Sequence, residues 1–235
     1  SSAASDVYKR LLQYEEEELK EIYIPEKAQA QTFSSGIRET INVIDGDTTM
    51  SQEPLSFSDD MTGSILRGFF RDGELDSVRL EGMATTLYHI FEDSIYQGNN
   101  RASGDTIVLK FGEDDLESIF ISGGSEGTYT PDSLGSDIDG KVVYQSDKIK
   151  YNMQDESTDL LGEANIDYTD MNLKAGFINV AWRSNLLKAL PSSDKDSTIT
   201  PFRPTMIEEG NEPMVGDTMI YNCLLYTSDA ADDTD

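Results

Sequence analysis

The feature that most constrains the fold of this chain is an internal repeat with a period of 41 residues. When the sequence is shifted by that interval, residues 75–82 (LDSVRLEG) align without a gap with residues 116–123 (LESIFISG). Related units recur upstream in residues 14–28 and downstream in residues 146–168. Self-similarity at a fixed period is typical of a fold built from one repeated supersecondary unit, so the repeat governs how each local pattern is interpreted.

Within each unit, apolar and polar residues alternate with a period of two. Ile107, Leu109 and Phe111 alternate with Val108 and Lys110, and an acidic turn separates this run from the next alternating run. Alternation over short runs that are bounded by Gly, Asp and Asn predicts antiparallel strands with one buried face. We predict strand-to-strand turns at residues 72–73, 112–115, 155–157 and 183–185.

Some segments can be interpreted only with the repeat in view. Residues 14–21 (YEEEELKE) would favour a helix if read alone, because Glu is a good helix former. The repeat instead places these glutamates in a turn between two strands. Residues 34–58, 131–141 and 191–213 are rich in Ser, Asp, Gly or Pro, and we predict that they are loops.

A unit of two strands with one apolar face cannot bury that face by itself, whereas stacked units can. The repeat therefore predicts an all-β fold of repeated antiparallel strands with a continuous apolar interior. The strands, about ten in number, would form either two facing sheets or a β-solenoid.

The charge of the chain limits its partners. It contains 18 Lys and Arg residues against 45 Asp and Glu residues. Binding to phosphate backbones needs clustered basic residues, so the sequence predicts no nucleic-acid partner. It also argues against simple electrostatic docking on an anionic membrane surface.

Few residues are candidates for chemistry. His89 is the one histidine, and we predict that it is an ordinary edge residue at the end of a strand. The acidic segments at 45–47 and 137–140 lack a full set of calcium ligands, and we expect turns there. The sequence predicts no catalytic residue, no metal site and no cofactor.

Two stretches resemble a known repeat family. Residues 102–109 (ASGDTIVL) followed by residues 119–129 (IFISGGSEGTY), and residues 145–151 (QSDKIKY) followed by residues 161–168 (LGEANIDY), look like the OstA-like repeat of lipopolysaccharide-assembly proteins. The closing run at 209–222, which ends in GDTMIYN, is similar to the segment that joins the periplasmic domain of LptD-type proteins to their outer-membrane barrel.

This resemblance implies an open β-jellyroll, or β-taco, of the LptA and LptC kind, whose apolar interior shields lipid tails. It implies a non-enzymatic, periplasmic protein that passes lipopolysaccharide acyl chains to the outer membrane. It also implies that the full-length protein is attached to that membrane. The implied partners are lipopolysaccharide, other jellyroll proteins that join by edge-strand addition, and an outer-membrane barrel.

The inward-facing strand residues are the candidates for lining a lipid groove. The alternative is that the same side chains form an ordinary closed core. The predicted lining residues are Val78, Leu80, Ile107, Leu109, Phe111, Ile119, Ile121, Ile149, Tyr151, Ile166, Ile178, Val180 and Trp182.

We expect the jellyroll repeats to occupy residues 11–190 and a linker with the start of the closing segment to occupy residues 191–222. Residues 1–10 and 223–235 resemble translated sequencing-adapter sequence, and we expect them to be artefacts. Two other functions stay open at this point. One is a carbohydrate-active β-solenoid enzyme, and the other is a structural or adhesive surface repeat that binds no lipid.

Overall fold

The computed structural model describes residues 11–15, 18–44, 47–112, 116–136, 138–192 and 202–222. These residues form a 15-stranded sheet and contain no helix, which confirms the predicted all-β class. The strands are β1 Leu11–Glu15, β2 Glu18–Ile24, β3 Ala28–Ile44, β4 Asp47–Gly63, β5 Ile65–Arg71, β6 Glu74–Glu92, β7 Ile95–Phe111, β8 Leu116–Pro131, β9 Val142–Asn152, β10 Ser157–Tyr168, β11 Met171–Ala181, β12 Leu186–Leu190, β13 Thr205–Glu208, β14 Met214–Val215 and β15 Met219–Asn222.

The six strands from β6 to β11 pair side by side, and each contributes to two halves of the sheet. At one end, β5 pairs with the start of β6 and β4 pairs with its later part. At the other end, β12 pairs with the end of β11 and β13 pairs with its start. The first half therefore runs β1-β2-β5-β6 to β11-β12-β15, and the second half runs β3-β4-β6 to β11-β13-β14.

A line of backbone irregularities, which we call the crease, separates the two halves. The pairing register shifts in β6 between Glu81 and Ala84, in β8 between Ser122 and Ser125, and in β10 between Leu161 and Ala164. Such bulges bend a strand and increase its local twist. The crease comprises Gly82, Met83, Gly104, Asp105, Gly123, Gly124, Asp147, Gly162 and Glu163.

The bend at the crease brings the two halves face to face. Tyr144 and Tyr151 lie on the same strand on either side of it, and their hydroxyl oxygens are 2.6 Å apart. Seven residues of straight strand would span about 23 Å, so this contact requires the strand to fold back on itself. The apolar side chains of both halves consequently pack into one buried cluster.

The structure confirms the repeat in detail. Successive hairpins have the same register shift at their turns, where Tyr14 pairs with Leu19, Phe70 with Leu75 and Phe111 with Leu116. The turn at Asp72 and Gly73 has positive φ angles of 53° and 83°, as a two-residue hairpin loop requires. The helical alternative for residues 14–21 is wrong, because Tyr14 and Glu15 end β1 and Glu18–Ile24 forms β2.

Three expectations about loops have different outcomes. In the predicted loop 131–141, Pro131 ends β8, and the other described residues connect β8 and β9 without a strand. Residues 34–58 are not a loop, because they form most of the β3–β4 hairpin, which pairs continuously from Ala28 with Gly63 to Ile44 with Asp47. Part of 191–213 is also strand, since β13 pairs with β11.

The β3–β4 hairpin was missed because its apolar residues are sparse. Its strands are rich in Ser, Thr and Gln, which can satisfy one another across the pair, as the hydroxyl oxygens of Thr40 and Ser51 do at 2.8 Å. The prediction of about ten strands in two sheets is also corrected, because the described strands form one continuous sheet that folds along the crease.

Adjacent glycines in the crease provide a matched test of its geometry. Gly123 and Gly124 both have positive φ, at 83° and 63°. A β-carbon on Gly123 would collide with the Asp105 side chain, whereas one on Gly124 would meet nothing. We expect Gly123→Ala to lower the unfolding free energy in urea by about 2–4 kcal/mol and Gly124→Ala by about 1 kcal/mol. Equal losses would show that the contact with Asp105 has no role.

Candidate functional site

The interior of the first half is built around one row of aliphatic side chains, which we call the aliphatic ladder. Each member pairs directly with the next across neighbouring strands, and each is at most 6% exposed. Direct cross-strand pairs of apolar residues are the unit by which a sheet is stabilised, so the row forms a continuous apolar floor beside the crease. Its members are Leu66, Leu80, Ile107, Ile121, Ile149, Leu160, Ile178 and Ala189.

A second row lies next to the ladder and farther from the crease. It contains Val78, Leu109, Ile119, Tyr151 and Val180, of which Val78 and Val180 are only partly buried. Beyond it, Phe111 and Trp182 are partly buried as well, and the Trp182 indole N–H donates to the Thr158 hydroxyl at 2.8 Å. Burial therefore decreases from the crease towards the hairpin turns of this half.

The second half faces the ladder with smaller and more polar side chains. Its inner row contains Ala102, Gly127, Tyr144 and Ile166 in direct pairing. Small residues at Ala102 and Gly127 leave space above β7 and β8, and the Tyr144 ring occupies it.

Every predicted lining residue lies in this interior, either in its buried apolar cluster or packed against it. Leu80, Ile107, Leu109, Ile121 and Ile149 have no exposed surface. The structure thus brings the predicted residues together around one packed interior. Their contact with lipid stays a prediction.

A polar group inside this interior was missed by sequence reasoning. The Tyr144 hydroxyl donates to the Asn100 side-chain oxygen at 2.6 Å. Because a hydroxyl has one proton, the Tyr151 hydroxyl is then the donor in its 2.6 Å bond to Tyr144. We call Asn100, Tyr144 and Tyr151 the tyrosine latch, since Tyr151 belongs to the first half and the other two belong to the second.

Burial raises the pKa of both latch tyrosines. It raises the pKa of Tyr144 to about 12, and the hydrogen bonds with Tyr151 and Asn100 oppose the shift. Burial also raises the pKa of Tyr151 well above its ordinary value of 10.0. At neutral pH the latch is therefore an uncharged hydrogen-bonding group in an apolar surrounding.

The expectation for His89 is wrong. It lies within β6, an inner strand, and its ring stacks on Phe57 with centroids 4.0 Å apart. Its Nδ1 is 2.7 Å from the buried Asp59 carboxylate, which also accepts the His89 backbone N–H. Phe91 and Tyr96 complete this aromatic cluster. The cluster attaches the β3–β4 hairpin to the sheet, and no alternating pattern in residues 34–58 indicated it.

The acidic residues supply no further site in the part of the chain that the structure describes. No group of three or more His, Cys, Asp or Glu residues there is arranged to hold a metal ion. Glu156 in the β9–β10 turn pairs with Arg183 in the β11–β12 turn at 2.6 Å. Asp45, residues 113–115 and Asp137 lie outside the described residues. The same part of the chain has no helix of the length and apolarity needed to cross a membrane.

Comparisons with known proteins give one kind of match. No protein-family model and no curated protein matches this sequence. Among solved structures, the chain is similar to LptH from Pseudomonas aeruginosa, the LptA-homologous periplasmic component of the lipopolysaccharide transport device. The two are 13% identical, the TM-score is 0.50, and the match covers 63% of this chain and 93% of LptH. This likeness confirms an LptA-like fold, and it leaves the LptD-type closing segment a prediction.

The buried tyrosines predict a specific alkaline transition. Because folding raises the pKa of Tyr144, the stability it contributes is complete below pH 10.0 and is lost as the pH rises through about 12. We expect the unfolding free energy in urea to decrease over this window, and to decrease less for Tyr144→Phe. The comparison is made at each pH with Tyr14→Phe, an exposed tyrosine, as the control. The same decrease in all three proteins would contradict the assignment.

Proposed function

We propose that this protein binds the acyl chains of lipopolysaccharide in its apolar interior and passes them across the periplasm towards the outer membrane. The observation that carries the proposal is the aliphatic ladder inside an LptA-like fold. The work is partitioning, because apolar side chains replace water around the lipid tails at roughly 0.8 kcal/mol per buried CH2. No residue has to perform chemistry, and we infer a carrier, not an enzyme.

The dimensions of the interior suit this role. The ladder crosses eight strands from Leu66 to Ala189, and at about 4.8 Å per strand it is on the order of 34 Å long. An acyl chain spans half of a bilayer core of roughly 30 Å, so the interior has the length to hold chains along the ladder. The chains would enter from the less buried side, near Phe111 and Trp182, when the two halves separate about the crease.

The end strands suit assembly into a bridge. In the described chain, β1 pairs only with β2, and β14 only with β13. A terminal strand with an unpaired edge is a template for another sheet. We therefore infer that neighbouring jellyroll proteins join at these edges and carry the interior onwards. The closing segment would connect this unit to an outer-membrane barrel, as in the LptD type.

One alternative keeps a specific observation in its favour. The complete burial of Leu80, Ile107 and Ile121 is also what a closed core would show, as in a structural β-repeat that binds no lipid. No contact among the described residues gives comparable support to a carbohydrate-active enzyme. The choice between carrier and closed core depends on whether lipid reaches the ladder.

Site-specific photocrosslinking in a Gram-negative host that makes lipopolysaccharide tests this directly. Ile121 belongs to the ladder and has no exposed surface, whereas the next residue, Ser122, faces outward and is partly exposed. We expect a lipopolysaccharide adduct with the crosslinker at Ile121 and none at Ser122. Absence of adducts at both positions, in a protein that is still folded, would support the closed core.

A second crosslinking experiment tests the edge. Val215 lies on the terminal strand β14 and is 58% exposed, and Val143 lies on the inner strand β9 and is 39% exposed. We expect a crosslinker at Val215 to capture another jellyroll protein of the periplasm and one at Val143 to capture none. Equal capture at both positions would indicate nonspecific contact and would count against assembly by strand addition.

A further inference from the structure

The tyrosine latch is unusual in its surroundings. Tyr144 and Tyr151 are 6% and 4% exposed, and their neighbours on the ladder are aliphatic. A buried hydroxyl in an apolar core costs free energy unless it is hydrogen-bonded, and here the two hydroxyls satisfy each other and Asn100. A phenylalanine pair would fill the same space without that requirement, so the hydroxyls call for a function beyond packing.

The Tyr144 side chain indicates what this part of the interior accommodates. Its ring lies directly over Gly127, where even a β-carbon would overlap it, and its hydroxyl reaches Asn100 two strands away. The floor beneath the ring is formed by Gly127 and by Ala102, which pairs with it. The Tyr144 side chain is itself a hydrocarbon that carries one hydroxyl. The interior holds its ring over small residues and binds its oxygen to an amide side chain.

The latch is also a link between the two halves. Tyr151 lies in the first half, so separating the halves breaks its bond to Tyr144. A plain hydrocarbon chain that entered between them would leave the Tyr151 hydroxyl without its acceptor, which costs about 1–3 kcal/mol for a buried group, while Tyr144 keeps its bond to Asn100. A chain with an oxygen at the right depth would replace the lost bond.

We propose that Asn100, Tyr144 and Tyr151 form a polar subsite that selects acyl chains carrying a hydroxyl or ester oxygen over unsubstituted chains. This inference rests on the proposed acyl-chain binding and names the class of chain that the interior prefers. In the open state the Tyr151 hydroxyl and the Tyr144–Asn100 pair bind the chain's oxygen, and the ladder binds the hydrocarbon on either side of it. Both tyrosines are uncharged donors over the physiological range, since burial raises their pKa further above the ordinary value of 10.0.

The test is competitive displacement of a fluorescent fatty acid from the full chain. The competitors are stearic acid and its mid-chain hydroxylated derivative, and the readout is the ratio of their apparent affinities. We expect Tyr151→Phe to reduce the preference for the hydroxylated acid by about five- to tenfold, as the loss of one buried hydrogen bond implies. Asn100→Leu, which removes the acceptor at the other end of the latch, is expected to reduce it similarly.

Tyr129→Phe is the matched control. Tyr129 pairs with Asn100 across the strands, but its hydroxyl donates to the Gln97 carbonyl at 2.7 Å and takes no part in the latch. Its variant should keep the wild-type ratio. An unchanged ratio in Tyr151→Phe and Asn100→Leu, or an equal reduction in Tyr129→Phe, overturns the subsite while acyl binding stands. Failure of both acids to displace the probe from the wild type overturns the acyl-binding function and the subsite together.

Discussion

The constraint on which the structure depends is that each long strand must bend without losing its inward-facing set of side chains. In strands that run in one direction, the buried positions on either side of the crease are four residues apart, as are Leu80 and Ala84. In their antiparallel neighbours the corresponding positions are three residues apart, as are Ser146 and Ile149. The glycines and aspartates of the crease supply the positive φ angles and close contacts that these intervals need. Without them the strands would stay straight, and the apolar face would remain open to water.

This solution explains both what the sequence predicts and what it conceals. Alternation within a half placed every predicted residue in the interior, because each run from Ile107 to Phe111 or from Ile149 to Tyr151 stays on one side of the crease. It missed three members of the aliphatic ladder, which are Leu66, Leu160 and Ala189. Strict alternation fails across it. Tyr144 and Tyr151 are an odd number of residues apart, so a period of two places them on opposite faces, whereas the shift at Asp147 returns both to the interior. The latch was therefore outside the reach of pattern reasoning.

The β3–β4 hairpin shows a different limit. Its strands hold their register through a continuous polar ladder, and it is attached by a few specific contacts at one end. Asp59 bonds His89, Phe57 stacks on it, and Arg38 reaches the buried Asp132 at 2.6 Å. None of these contacts involves residues close in sequence, so composition indicated only a polar segment. Local patterns predict strands that bury an apolar face, and they do not predict strands that are held by long-range polar pairs.

A packed interior is compatible with a carrier when the closed, empty state and the open, loaded state differ little in free energy. A carrier must release its cargo, so the empty state has to compete with the loaded one. In the proposed mechanism the closed state regains the contacts of the aliphatic ladder and the Tyr144–Tyr151 bond, and both offset the partitioning energy of a departing chain. If apolar residues replaced the latch, opening for an unsubstituted chain would no longer break a buried hydrogen bond. Chains that carry an oxygen would then lose much of their advantage in affinity. In the native protein, the three residues of the tyrosine latch would therefore determine both which chains enter and how readily they leave.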